Sequence, residues 1–284
     1  MFSFLKRRRR EGLRARSFSD RWASILEANV PAYRRLPADL RVQLHGHIHV
    51  FLAEKKFEGC NGQEITDEVR VTIAGQACLL LLNRDTDYYP DLVTILVYPT
   101  VFYADVEEHD GHVVSEFLED RSGESWDLGV VILSWEDAVE HASTGRAGYN
   151  VVLHEFAHQL DMENGEMDGM PKLPDRQSRE TWARAFNAAY DHFERAAASN
   201  RRTLIDAYGA GDPAEFFAVA TESFFERPLA LRREYSDLYD EMARYYRVDP
   251  GAWQSGARAS APVAAVSKPR RARKRRPRGS GGRR

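Results

Sequence analysis

The sequence predicts an α+β fold in which a helical N-terminal part and a second group of helices bracket a small β-sheet. Three observations carry that reading. Between Pro37 and Lys56, Leu40, Leu44, Ile48, Phe51 and Leu52 recur at helical spacing. The run Leu92 to Tyr98 is short, continuous and rich in branched residues, and Pro99 closes it, as expected of a buried strand. Beyond the middle of the chain, Arg179 to Ala198, Pro213 to Glu226 and Pro228 to Tyr246 return to helical periodicity.

The remaining elements follow from local signals. Residues 1–17 are basic and read as an unordered leader. Asp20 to Val30 places Trp22, Ile25, Leu26 and Val30 near one helix face. Thr66 is an N-cap candidate, because its hydroxyl can accept an orphan backbone N–H while Asp67 and Glu68 face the positive end of the helix dipole. That helix is expected to reach Leu82, with Val69, Ile73, Ala77 and Leu80 inward. Val113 to Phe117 and Val130 to Leu133 are further strand candidates. Ser134 to His141 reads as a short helix and Asn150 to Leu160 as another. A polar loop bearing Gly and Pro spans Asp161 to Asp175, and the segment from Gln254 onward, rich in Ala, Ser, Pro and Arg, reads as unordered. The expected organisation is therefore a leader (1–17), one folded domain (18–253, helical to about residue 85 and carrying the core beyond it) and a basic tail (254–284).

Composition narrows the class. A chain of 284 residues with 43% hydrophobic content can bury a core. The net charge of −3 conceals an asymmetry, since ten Lys or Arg and no acid lie between Lys268 and Arg284, so the body is acidic and the tail basic. Cys60 and Cys78 are too few for a disulfide framework or a cysteine zinc site, which fits a reducing compartment. The basic start, Met1 to Arg10, is not followed by the apolar stretch of a secretory signal. No apolar run approaches the roughly 18 residues that cross a bilayer. A cytoplasmic protein is the expectation.

The chemistry is concentrated in His154-Glu155-Phe156-Ala157-His158, an H-E-x-x-H pattern on an expected helix. Residues four apart stand one turn above the other on one face, so both imidazoles can reach one zinc ion at about 2.0 Å. Glu155 is offset by one residue and points beside the ion, where a carboxylate can take a proton from water. Phe156, Ala157, Gln159 and Leu160 carry no charge, so the helix can be buried with its polar face toward a cleft.

Such a site needs a third protein ligand. Asp161, Glu163, Glu166, Glu215, Glu222 and Glu226 are the downstream carboxylates. Asp161 lies three residues past His158 and suits the acceptor of a histidine N–H. Glu215 stands three residues after Asp212 with Pro213 between, a spacing that a helix capping box would also explain. Glu222 is seven residues further on the same face. From the residues alone, Glu215 and Glu222 are equal candidates, one for the metal and the other in support.

Over residues 18–250 the chain resembles the Mlc titration factor A family of zinc metallopeptidases. The resemblance rests on Phe57-Glu-Gly-Cys60, Glu64-Ile-Thr-Asp-Glu-Val69, His154-Glu-Phe-Ala-His-Gln-Leu-Asp161 and Pro213-Ala-Glu-Phe-Phe-Ala-Val219, followed by Glu222 and Phe224-Phe225. The core of that family is similar to the protease domain of anthrax lethal factor, a zincin-like arrangement. The resemblance implies a single Zn²⁺ held by His154, His158 and Glu215, with Glu155 working on water. It also implies that Tyr208, seven residues before Glu215, donates its phenol O–H to the oxyanion. A hydrogen-bond donor aimed at developing charge is worth about 3 kcal/mol of barrier. The implied activity is that of a peptidase, aminopeptidase-like on small substrates. The implied partner is the glucose-system transcriptional repressor Mlc. The tail from Gln254 departs from the family pattern, and partner binding need not travel with a catalytic core.

Two weaker signals remain. His45, His47 and His49 fall on the second helix and read as a solvated face; His109 and His112 sit in an acidic turn. The tail from Lys268 to Arg278 can contact nucleic acid or an anionic surface through counterion release, and it lacks the aromatics that would stack on bases.

Overall fold

The computed structural model describes residues 2–100, 129–144, 148–199 and 203–254. The order of elements is α1 (Phe2–Arg14), α2 (Asp20–Asn29), α3 (Pro31–Arg35), α4 (Ala38–Glu54), β1 (Lys56–Gly59), α5 (Asp67–Leu79), β2 (Thr94–Tyr98), β3 (Val130–Ser134), α6 (Trp135–Thr144) and α7 (Val151–Asp161). A 3₁₀ turn at Met162–Asn164, α8 (Arg176–Ala198), a second 3₁₀ turn at Ala207–Ala210, α9 (Pro213–Glu226), α10 (Pro228–Glu234), α11 (Ser236–Tyr246) and α12 (Pro250–Gln254) complete it. The fold is α+β, as expected. The strand candidate Val113 to Phe117, the pair His109 and His112, and the basic tail from residue 255 lie outside the described residues.

The three strands are parallel in the order β1-β2-β3, with Phe57 opposite Ile95 and Ile95 opposite Val131. Ile95, Val97, Val131 and Leu133 are buried and their neighbours less so, which is the two-residue period of a pleated strand. Strand β1 was not anticipated: Lys-Phe-Glu-Gly has a single apolar side chain, and backbone pairing with β2 holds it in place. Parallel neighbours need a crossover, and α5 supplies the one between β1 and β2. Thr66 caps α5 as expected, accepting the Val69 N–H at 3.3 Å. Helix α5 is buried from Val71 to Leu79, and a Cβ at Gly75 would collide with Leu26, so only glycine lets α2 approach this closely.

The N-terminal residues overturn the expected leader. Phe2–Arg14 form α1, because its inner face has partners on the body. Leu13 is buried, and Arg10 donates to Glu54 at 2.7 and 2.9 Å and to the Asp87 carbonyl at 2.9 Å. The three histidines of α4 are likewise not a solvated face. His45 stacks on Phe18 at 3.8 Å and bonds Tyr33 at 2.9 Å, while His47 is buried against the Tyr88 hydroxyl at 2.8 Å. The helix expected over Pro228 to Tyr246 breaks at Tyr235 (φ −130°, ψ 61°), giving α10 and α11.

Helix α7 sits between two halves of the core. Phe156 packs against Phe51 and Tyr89 at ring separations of 5.6 and 4.8 Å. On its other side lies α9, itself held by Phe216 against Phe186 and Phe193, by Phe217 against Trp182, and by Thr221 bonded to Tyr246 at 2.8 Å. This packing brings two helices distant in sequence side by side.

Candidate metal centre

Asn150 opens α7. Its side chain accepts the Leu153 N–H at 3.0 Å, satisfying one of the orphan donors of the first turn. His154 and His158 then follow one turn apart, with their Nε2 atoms 3.2 Å from each other. Asp212 opens α9 in the same way, accepting from the N–H groups of Ala214 and Glu215 at 2.8 and 3.0 Å. The capping half of the predicted box is thus formed. The reciprocal half is not: the Glu215 carboxylate faces α7, 3.1 Å from His154 Nε2 and 3.3 Å from His158 Nε2.

Glu222, two turns along α9, meets the opposite edge of the same ring. Its Oε1 accepts from His154 Nδ1 at 2.9 Å, and its Oε2 accepts the backbone N–H of Asn150. The two carboxylates, which spacing alone did not tell apart, take different positions: Glu215, the one the resemblance implies as a ligand, faces both Nε2 atoms, and Glu222 sits behind His154. With its proton on Nδ1, His154 presents a lone pair at Nε2.

The donor set fits a metal ion. His154, His158 and Glu215 each offer a ligand atom, all within 4.8 Å of one another. The separations of 3.1, 3.2 and 3.3 Å are close to the roughly 3.3 Å between ligands of a tetrahedral ion with bonds of about 2.0 Å. Two buried imidazole lone pairs and a carboxylate aimed at one point repel unless a proton or a cation lies between them.

The titration of the metal-free site has the same cause. Burial works against the His154 cation, yet the flanking Glu215 and Glu222 outweigh it and raise its pKa well above the ordinary value. Burial lowers His158, with Glu215 opposing. Burial would push Glu215 up, and the two imidazoles hold it well below the usual carboxylate range. Glu222, fully buried, is raised by that burial despite its bonds to His154 and Asn150.

The segment after α7 fixes the approach of α9. Asp161 does not accept from a histidine as its spacing predicts. Its Oδ2 instead accepts the Gly169 N–H at 2.8 Å, and the Gly169 carbonyl accepts Trp182 Nε1 at 3.0 Å. Gly169 (φ +76°) lies so near the start of α9 that a Cβ there would stand 2.6 Å from the Pro213 carbonyl oxygen. Glu163 turns away toward Arg84 at 3.9 Å. Glu226 accepts from the Asn150 side chain at 3.3 Å.

Glu155 is on α7 beside His154 and is half-buried. The backbone of Tyr208 lies in the Ala207–Ala210 turn, which packs on α9; its side chain lies outside the described residues. Gly209 permits that packing, since a Cβ there would be 2.5 Å from Val219. Sequence reasoning missed the part played by Asn150. The signal was present: an Asn directly before an apolar helical run is an N-cap signature.

Comparison with known proteins agrees with this geometry. Residues 4–247 match the family model described as glucose-regulated metallo-peptidase M90. An uncharacterized protein of Synechocystis is 42% identical over 244 residues, covering 85% of this chain and 89% of its own length. The Mlc titration factor A proteins of Salmonella agona and Salmonella arizonae are each 32% identical over 225 residues, covering 78% of this chain and 84% and 88% of theirs.

Proposed function

The chain belongs to the glucose-regulated metallo-peptidase M90 family, and on that premise we propose that it is a zinc-dependent, aminopeptidase-like peptidase. The observation that carries the proposal is the convergence of His154, His158 and Glu215 from two helices on one point. These three residues would hold the ion, and their two nitrogens and one oxygen suit Zn²⁺. A zinc ion bound there supplies a Lewis acid and a water acidified toward neutral pH.

The chain's own residues do the rest. Glu222 keeps the proton of His154 on Nδ1 and orients the ring. Glu155 takes the proton that the attacking water gives up and delivers it to the departing amine. Tyr208, by the resemblance, donates its O–H to the oxygen on which negative charge develops. Apolar packing of α7 on Phe51 and Tyr89 holds the histidine pair in place.

The test is Glu155→Gln with zinc content and peptide hydrolysis measured together. Retained zinc with turnover lost supports the mechanism, and unchanged turnover refutes it. A second reading has one specific observation behind it: the Salmonella relatives are named for titration of Mlc. Under that reading the chain is a non-catalytic regulator that sequesters a transcriptional repressor of the Mlc type. It predicts that Glu155→Gln leaves regulation intact.

A further inference from the structure

Helix α1 has two faces with different fates. The inner face is anchored: Arg10 and Leu13 are buried, Arg10 lies over the Tyr88 ring at 4.7 Å, and Lys6 pairs with Asp87 at 2.9 Å. The outer face carries Phe4 and Leu5, 66% and 56% exposed. One turn on, at i+4, stand Arg8 and Arg9, with Arg7 beside them, all three exposed. The only acid on the helix is Glu11, which pairs with Arg7 at 3.1 Å. Arg8 has no carboxylate partner among the described residues. Two large apolar side chains in water, flanked by Arg8 and Arg9, neither of them paired with a carboxylate among the described residues, and held on a helix that the body keeps in place, form an incomplete surface.

We propose that the outer face of α1 docks on an anionic phospholipid membrane. Phe4 and Leu5 enter the boundary between headgroups and acyl chains, and Arg8 and Arg9, with Arg7 beside them, lie against lipid phosphates. The contact is peripheral, since no helix among the described residues is long and apolar enough to cross a membrane. Charge complementarity selects this occupant. Nucleic acid would use the cations but not aliphatic Leu5, which has no ring to stack on a base. A second copy would bring the same positive charge, and two side chains on one helix fall far short of the roughly 1,200 Å² of a stable interface.

The test uses the full chain, so that the basic tail is constant in every variant. Wild type, Phe4→Ser/Leu5→Ser and Arg8→Glu are sedimented with phosphatidylcholine vesicles with and without phosphatidylglycerol, and with a DNA duplex. The wild type is expected to bind only the phosphatidylglycerol vesicles tightly, and less so as salt rises. Each variant is expected to bind at least about tenfold more weakly at an unchanged melting temperature. Equal vesicle binding by the Phe4→Ser/Leu5→Ser variant overturns the proposal, as does wild-type binding that ignores phosphatidylglycerol. A DNA affinity that falls in parallel, or a dimer that Phe4→Ser/Leu5→Ser dissociates, assigns the surface to nucleic acid or to a second copy instead.

Discussion

Removing the Glu222 carboxylate separates the proposed ligand, Glu215, from its proposed support. Glu222 is 1% exposed and accepts from His154 Nδ1 at 2.9 Å and from the Asn150 N–H. Glu222→Ala leaves both donors buried without that acceptor, at about 1–3 kcal/mol each. Part of this falls on the fold and part on the ring's orientation. Loss of such an outer partner weakens metal binding about 10–100-fold, or roughly 1.4–2.8 kcal/mol. Glu215→Ala removes one donor outright. If four ligands share about 10–16 kcal/mol, one accounts for about 2.5–4 kcal/mol, a loss of roughly 70- to 1,000-fold. The assay is competition for zinc against a fluorescent chelator, with melting of the metal-free proteins recorded alongside. Glu222→Ala is expected to melt lower and bind zinc moderately less; Glu215→Ala is expected to lose zinc while the metal-free fold persists. Wild-type affinity in Glu215→Ala, or an equal loss in both variants, refutes the division of roles.

Other outcomes follow from the same geometry. In the wild type, zinc must displace the proton that Glu215 and Glu222 hold on His154, so apparent affinity should rise about tenfold per pH unit below the raised His154 pKa; a flat profile by chelator competition contradicts this. Burial lifts Asp161 from 3.8 to about 7, so the stability from its protonated form is complete below the lower value and lost as pH rises through the upper one. Metal-free wild type should therefore lose more melting temperature across that window than Asp161→Asn does, and parallel curves would sink the idea. Phe156→Ala, which empties a fully buried ring position between Phe51 and Tyr89, should cost about 3–5 kcal/mol in denaturant unfolding. Asp212→Ala should cost about 1 kcal/mol and also weaken zinc binding, because the cap it removes holds the N–H of Glu215 itself.

Local signals were legible where a few adjacent residues decide the outcome. Thr66 and Asp212 cap helices through bonds to backbone two or three residues on, so sequence spacing is the relevant distance; Asn150 does the same, although its cap was not read from the sequence. The H-E-x-x-H pair was legible for the same reason, since one helical turn sets its geometry. Strand β1 and the docking of α1 were not, because pairing with β2 and the Glu54 and Asp87 carboxylates lie well away along the chain. His45 and His47 show the converse error: their polarity suggested water, and the body placed Phe18, Tyr33 and Tyr88 over them.

The sequence by itself determined the α+β class, the caps of α5 and α9 and the pair His154 and His158 with Glu155 beside it. Helical spacing did not separate Glu215 from Glu222, seven residues apart on one face of α9 and equal in chemistry; the family resemblance pointed to Glu215, and only the tertiary structure shows which ring nitrogen each carboxylate faces. Packing of α9 on α7, fixed by Gly169 against Pro213 and by the aromatic layer around Phe216 and Phe217, sets which carboxylate reaches Nε2 and which reaches Nδ1. Helical periodicity gives a direction around one axis, whereas a binding site needs the offset between two axes, and that offset is the product of the whole core.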